Sequence, residues 1–242
     1  VVLLSTLFFR IFGIANWKYM ALVWALIPIA NGILFTRVPI APLLDEGEKG
    51  LTMGELFKKK IFWVLMLMML CAGASEQAVS QWASTLAEKN FGINKTIGDL
   101  AGPMAFAILM GSSRAFYGKF GDKINLERFM QYSAVLCMVS YLMIAFIPVP
   151  ALGILGCAVC GLSVGIMWPG TFSMAAASVK RGGTALFALL ALAGDVGCSS
   201  GPTYVGMISG ALNDNLKLGI FAALIFPVLM IMGIKMIGSL QK

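Results

Sequence analysis

Residues 151–178 read ALGILGCAVCGLSVGIMWPGTFSMAAAS, with no Asp, Glu, Lys or Arg among them. A helix needs about 20 mostly apolar residues to cross the hydrocarbon core of a bilayer, and this stretch exceeds that length without a charge. It reads as a membrane span. Working outward, the same pattern recurs at residues 17–36, 61–85, 100–117, 129–147, 184–211 and 216–238, so the sequence predicts seven full spans in an all-α, polytopic membrane helix bundle. Residues 1–14, VVLLSTLFFRIFGI, add an apolar stretch too short to cross comfortably, and it reads as the tail of a truncated span. It lacks the basic start and small-residue cleavage site of a signal peptide. Short loops join the spans except at Arg37–Lys60, which contains PIAPLLDEGEKGLT and then Lys58, Lys59 and Lys60, the evident linker.

Composition agrees with lipid as the solvent. Of 242 residues, 59% are hydrophobic and 12% charged. A soluble globule of this length could not hide that much apolar surface. Mean hydropathy is +0.88. The balance excludes a disordered chain, a disulfide-rich secreted scaffold and a soluble nucleic-acid binder, despite a net charge of +7. That charge has a topological explanation, because basic residues in short loops are retained on the cytoplasmic side. With the linker inside, thirteen cations are cytoplasmic: Arg37, Lys49, Lys58, Lys59, Lys60, Arg114, Lys119, Lys123, Arg128, Lys180, Arg181, Lys235 and Lys242. Five fall elsewhere, at Arg10, Lys18, Lys89, Lys95 and Lys217. The C-terminus is then cytoplasmic and the membrane a bacterial inner membrane. Asn94-Lys95-Thr96 forms a glycosylation sequon in an outer loop, a tripeptide too common to carry weight.

Histidine is absent and the five cysteines lie in apolar runs, which removes His-based triads, metal sites and enzymatic chemistry in general. Cys157 and Cys160 form a C-x-x-C with no second ligand pair and read as packing thiols. No cofactor is called for. Gly161 with Gly165 and Gly197 with Gly201 are small-xxx-small pairs, and Pro169 and Pro202 fall inside apolar helices. Two readings stand for them, tight packing alone or hinges in a conformational cycle.

Charges inside the spans are costly, so each is a functional candidate. Glu76 and Asp195 both fall near mid-depth. Glu76 shares a helical face with Gly73, Ser80 and Ser84, and Gln77 and Gln81 widen it to a polar stripe; Asp195 is followed at helical spacing by Ser199 and Thr203. Neither stripe suits lipid. Glu76 reads either as a cavity residue that binds solute or carries a proton, or as a structural hydrogen-bonding group; Asp195 divides in the same way. Trp168, beside Pro169, either stacks on a sugar ring or packs. Trp17, Tyr19 and Trp63 read as interface anchors, Trp82 lies towards the outer end of its span, and the depth of Arg10 is unreadable.

The order of features resembles the second half of a major facilitator superfamily transporter. A polar cytoplasmic linker precedes six spans, a basic loop joins the second and third of them, and the C-terminus is inside. Gly118-Lys119-Phe120-Gly121-Asp122-Lys123 resembles that family's G-x-L-x-D-[RK] signature, with Phe120 where Leu is usual and Ile124, Asn125, Leu126 and Glu127 intervening before Arg128. GLSVGIMWPG, GTALFALLALAGDVGCSSGP, Gly73-x-x-Glu76 and Trp82 look most like the fucose permease type of sugar transporter. The resemblance implies that residues 1–36 are the end of one bundle, with partial helix five and helix six, that 37–60 are the cytoplasmic linker, and that 61–242 form the C-terminal six-helix bundle. It implies alternating access between two halves, the first largely missing from this chain.

The loop also has a reading from its residues. Asp122 and the start of the 184–211 helix share one side, and helix N-termini attract anions. With Gly118, Gly121, Lys123 and Arg114 it forms either a gating latch or a solvated turn. The sequence therefore predicts a secondary active transporter of a small polar solute, sugars favoured, with ion coupling, if present, by protons. Its partners are that solute, the bilayer and the other half of the chain. The substrate-binding or coupling residues are Glu76, Gln77, Ser80, Gln81, Trp168, Asp195 and Ser199. An antiporter exporting amphipathic compounds and a non-transporting membrane scaffold or sensor are the alternatives; no channel filter is visible.

Overall fold

The structure is a computed structural model that describes residues 2–39, 48–90, 92, 97–98 and 100–240. The sequon at Asn94, with Lys95, and the terminal Lys242 lie outside the described residues. Among those described there are helices and turns and no strand. We label the principal helices α1 (Val2–Phe12), α2 (Trp17–Phe35), α3 (Met53–Phe57), α4 (Lys60–Ser80), α5 (Ala105–Phe120), α6 (Leu126–Phe146), α7 (Pro150–Val164), α8 (Met167–Ser178), α9 (Gly183–Ala211), α10 (Leu216–Ala222) and α11 (Ile225–Leu240).

Six helical stretches are long and apolar enough to cross a membrane: Ile14–Phe35, Lys60–Lys89, Leu126–Phe146, Pro150–Ser178, Gly183–Ala211 and Leu216–Leu240. The seventh expected span, 100–117, is helical but does not join them. A π-helical turn, Leu100–Met104, leads into α5, whose centre carries Gly111, Ser112, Ser113 and Arg114. That polar run dilutes the apolar character, so α5 depends on its neighbours rather than on lipid to satisfy it.

Local signals set the ends. Asn125 caps α6 by accepting from Arg128 N at 2.9 Å, and Asn215 caps α10 by accepting from Lys217 N at 3.1 Å. Pro150 opens α7, where its missing N–H costs nothing. The 151–178 span is two helices, broken at Gly165 and Ile166 just ahead of Pro169. Ala223 and Leu224 similarly divide the last span into α10 and α11.

The core forms where α4 meets α9, and backbone meets backbone there. A Cβ added to Gly197 would fall on the carbonyl oxygen of Leu70, one on Gly73 would fall on that of Gly194, and one on Gly201 would come within 2.5 Å of Ala74 O. Only glycine permits that approach. Gly161 and Gly165 serve the same purpose between α7 and α5, facing Phe106 and Met110. The small-residue pairs are thus packing seams. Around this centre α5, α6, α7 and α11 complete the bundle, while α2 buries only Met20.

The described end of the linker docks on the bundle. Arg181, in the left-handed region at φ 65°, donates twice to Lys49 O, at 3.1 and 2.6 Å, and its own carbonyl accepts from Leu51 N at 2.9 Å. Thr52 and Glu55 form a reciprocal cap on α3, and Leu56 is fully buried. The hydrogen bond from the Thr52 amide holds the Glu55 carboxyl below its ordinary value, helped by the Thr52 hydroxyl and the charges of Arg181 and Lys58 against a small opposing effect of burial.

Two outcomes are expected. Gly197→Ala should lower the thermal unfolding midpoint of the purified protein by the equivalent of ~1–3 kcal/mol of overpacking, whereas Gly111→Ala, with nothing within 4 Å of the new Cβ, should leave it unchanged or slightly raised. An unaltered midpoint for Gly197→Ala would refute the seam. Because the Glu55 pKa is depressed on folding, its stabilisation is present at neutral pH and is lost as pH falls through the folded value. A spin label at Gly54 should gain mobility on acidification below the usual carboxylate range, and Glu55→Gln should abolish that pH dependence.

Candidate functional site

Pro169 creates the site by what it lacks. In an unbroken helix the Gly165 carbonyl would receive the amide of residue 169, but proline has no N–H to give. Arg114 supplies the donor instead: its Nε reaches Gly165 O at 3.2 Å from α5. The same guanidinium donates through Nη2 to Glu76 Oε2 on α4, also at 3.2 Å. One side chain thus joins α5, the break between α7 and α8, and α4.

The Glu76 side chain is 13% exposed and that of Arg114 43%, so the carboxylate is the more deeply held partner. An ion pair of this kind lowers the cost of placing either charge within the membrane. Gln77 Nε2 donates to Glu76 Oε1 at 3.4 Å, and Gln81 Nε2 to Gln77 Oε1 at 3.3 Å, so the expected stripe is a hydrogen-bonded chain. Buried Tyr141 on α6 donates to Ser75 O at 2.8 Å and holds the turn of α4 that carries Glu76.

Glu76, Arg114, Trp168, Pro169 and Phe172 line a cleft of about 410 Å³. The Trp168 ring lies where a Cβ on Gly194 would be and stands 6.2 Å from Phe172. Its indole nitrogen is buried and has no hydrogen-bond partner among the described residues. An unanswered buried donor is uncommon and calls for an explanation. On α9, Asp195, Val196, Ser199, Ser200 and Thr203 line a second, more open cleft of about 450 Å³. Ser199 donates to Asp195 O at 3.1 Å and Thr203 to Ser199 O at 2.7 Å, so these hydroxyls close on their own helix while the Asp195 side chain stays exposed. Cys198 lies within electrostatic reach of both acids. Ser80 is half-buried at the end of α4, and Trp82 donates to Pro202 O at 3.0 Å, tying that end of α4 to α9.

Arg114 is therefore not a cation of the 118–123 loop. It belongs to Glu76, a pairing across 38 residues that spacing along the chain does not reveal. Gly118 and the turn Gly121–Lys123 are partly or fully exposed, and among the described residues no ion pair joins Asp122 or Lys123 to the start of α9. Gly165, which the sequence offers only as a packing residue, is the missed participant. The signal was Pro169 four residues later.

The sequence profile of the Major Facilitator Superfamily matches residues 1–202. The chain belongs to that superfamily: it is an integral membrane protein of the transporter class. No curated protein and no solved structure matches it.

If the pair is a real contact, Arg114→Gln and Glu76→Gln should each destabilise the purified protein, and the double variant should be more stable than the sum of the two losses predicts. The coupling should be on the order of 1 kcal/mol, modest because Arg114 is part-exposed. Strict additivity in thermal unfolding would dissolve the pair.

Proposed function

We propose that the chain forms one side of a secondary transporter for a small polar solute, a sugar, working by alternating access with protons as the coupling ion. The arrangement of a carboxylate, a guanidinium and an unanswered indole N–H around one cleft is the observation that supports this reading. Glu76 and Arg114 offer an acceptor and donors to hydroxyls. Trp168 and Phe172 offer apolar faces to a sugar ring, and the Trp168 N–H a further donor. The likeness of GLSVGIMWPG to the fucose permease type, in the stretch that supplies Trp168, agrees with it.

Gln77, Gln81 and Ser80 extend the polar path from Glu76 along α4, and Asp195 and Ser199 present a second polar face on α9. In this reading residues 61–242 act as one bundle, and that exposed polar face borders the central pathway, opposite the bundle that residues 1–36 belong to. Asp122, with Gly118, Gly121 and Lys123, latches the inner end of the bundle in one state of the cycle and is released in the other. The coupling step needs a group that changes charge, and a carboxyl can do so where an amide cannot.

The test is transport by the complete transporter in proteoliposomes. Counterflow of a labelled sugar should be saturable and competed by unlabelled sugar. Glu76→Gln should keep exchange within about twofold while uphill accumulation driven by a pH gradient disappears. Normal, pH-dependent accumulation in that variant would remove Glu76 from coupling. Exchange of lipophilic cations with no exchange of any sugar would replace this reading with the antiporter.

A further inference from the structure

A third cleft, of about 490 Å³, lies on the side of α5 turned away from Arg114. Ser112 and Phe116 from α5, Phe129, Tyr132 and Leu136 from α6, and Leu162 from α7 line it. Residues 112 and 116 share a helical face, while residue 114 sits about 200° round the helix from 112. The cleft is therefore separate from the Glu76 site and independent of the reading given to that site. It is almost wholly apolar, within the roughly 300–1,000 Å³ of ordinary ligand sites, and Tyr132 at its rim is 71% exposed.

Its walls run towards the Gly121–Lys123 turn, and the charge there is organised. Lys119 follows Phe116 by three residues and Arg128 precedes Tyr132 by four, so each continues one wall of the cleft at its mouth. Both are exposed, and neither forms an ion pair among the described residues. Lys123 lies in the turn between them, with Asp122 the one acid beside it. Glu127 points elsewhere: it accepts from Gln131 at 3.4 Å and lies beside Gly238 of α11. Cations at the mouth outnumber the acid. Phe116 and Phe129, with ring centroids 6.2 Å apart, floor the cleft just inside that mouth.

From this juxtaposition we infer that the α5/α6 cleft is a binding site for an anionic phospholipid, one acyl chain lying between Phe116, Leu136 and Leu162 and the phosphate held by Lys119 and Arg128. An apolar trough in a membrane protein accepts the chain of any lipid. The two unpaired cations select the anionic headgroup, since basic positions beside transmembrane helices favour negatively charged lipids and each adds to the preference. Tyr132, one turn deeper than Arg128, presents a hydroxyl at headgroup depth, the ordinary setting for an interfacial tyrosine.

Native mass spectrometry of the purified protein tests this, with phosphatidylglycerol and phosphatidylcholine of identical chains offered at matched concentrations. Phosphatidylglycerol should be retained over phosphatidylcholine by roughly tenfold or more, as expected for two cations acting on one anionic headgroup. Lys119→Gln with Arg128→Gln should reduce its retention to the phosphatidylcholine level. These are surface substitutions, and an unchanged unfolding midpoint will show that the fold is intact. Leu136→Trp, which fills the trough, should reduce retention of both lipids; if that variant does not fold, the charge pair alone decides. Equal retention of the two lipids by the unaltered protein, or full phosphatidylglycerol retention by the charge variant, overturns the proposal. So does a dimer that excludes lipid and is lost in the charge variant, which would make a second copy the occupant.

Discussion

A carbonyl oxygen that proline cannot serve organises the middle of this bundle. Gly165 O lies where a helix would be expected to continue, Pro169 withholds the amide, and within the membrane no water replaces it. The donor must come from a side chain on another helix, and Arg114 provides it at 3.2 Å. A guanidinium at that depth then requires a counter-charge, and Glu76 is positioned to be one. One local deficiency in hydrogen bonding thus accounts for two intramembrane charges, for the break between α7 and α8, and for the cleft that all of these line.

Much of the fold was legible because lipid imposes a blunt rule on composition. The apolar stretches from 61 to 85, 129 to 147, 151 to 178, 184 to 211 and 216 to 238 each correspond to helical spans with ends displaced by a few residues. The small-residue pairs Gly161/Gly165 and Gly197/Gly201 lie at real helix contacts. The stretch at 100–117 read as an ordinary span because its apolar residues were counted while the run Gly111 to Arg114 was not weighed as a feature. The break at Gly165 and Ile166 was signalled by Pro169 but not located, since proline tells which bond is missing and not how the chain relieves it.

The candidate site was legible by residue and not by partnership. Glu76, Trp168 and Asp195 were marked as charges and an aromatic at a depth lipid does not favour, and each lines a cleft. That Arg114 would leave the basic loop and pair with Glu76 could not be read along the chain, because the pairing depends on which faces of α4 and α5 meet. The docking of Lys49 and Leu51 on Arg181 was hidden for the same reason: it joins residues 132 apart through main-chain atoms that carry no sequence label.

The glycine seam between α4 and α9 has a consequence for how such a transporter can change over generations. On one side of α9, Gly194, Gly197 and Gly201 are closed to any larger residue, because backbone or an indole ring already occupies the space. On the other side, Val196, Ser199 and Thr203 are exposed and touch no part of that seam. Folding and selectivity are therefore written on opposite faces of a single helix. Variation confined to the open face can retune what passes along it without disturbing assembly, so the helix that tolerates least on one side is the one most free to diversify on the other.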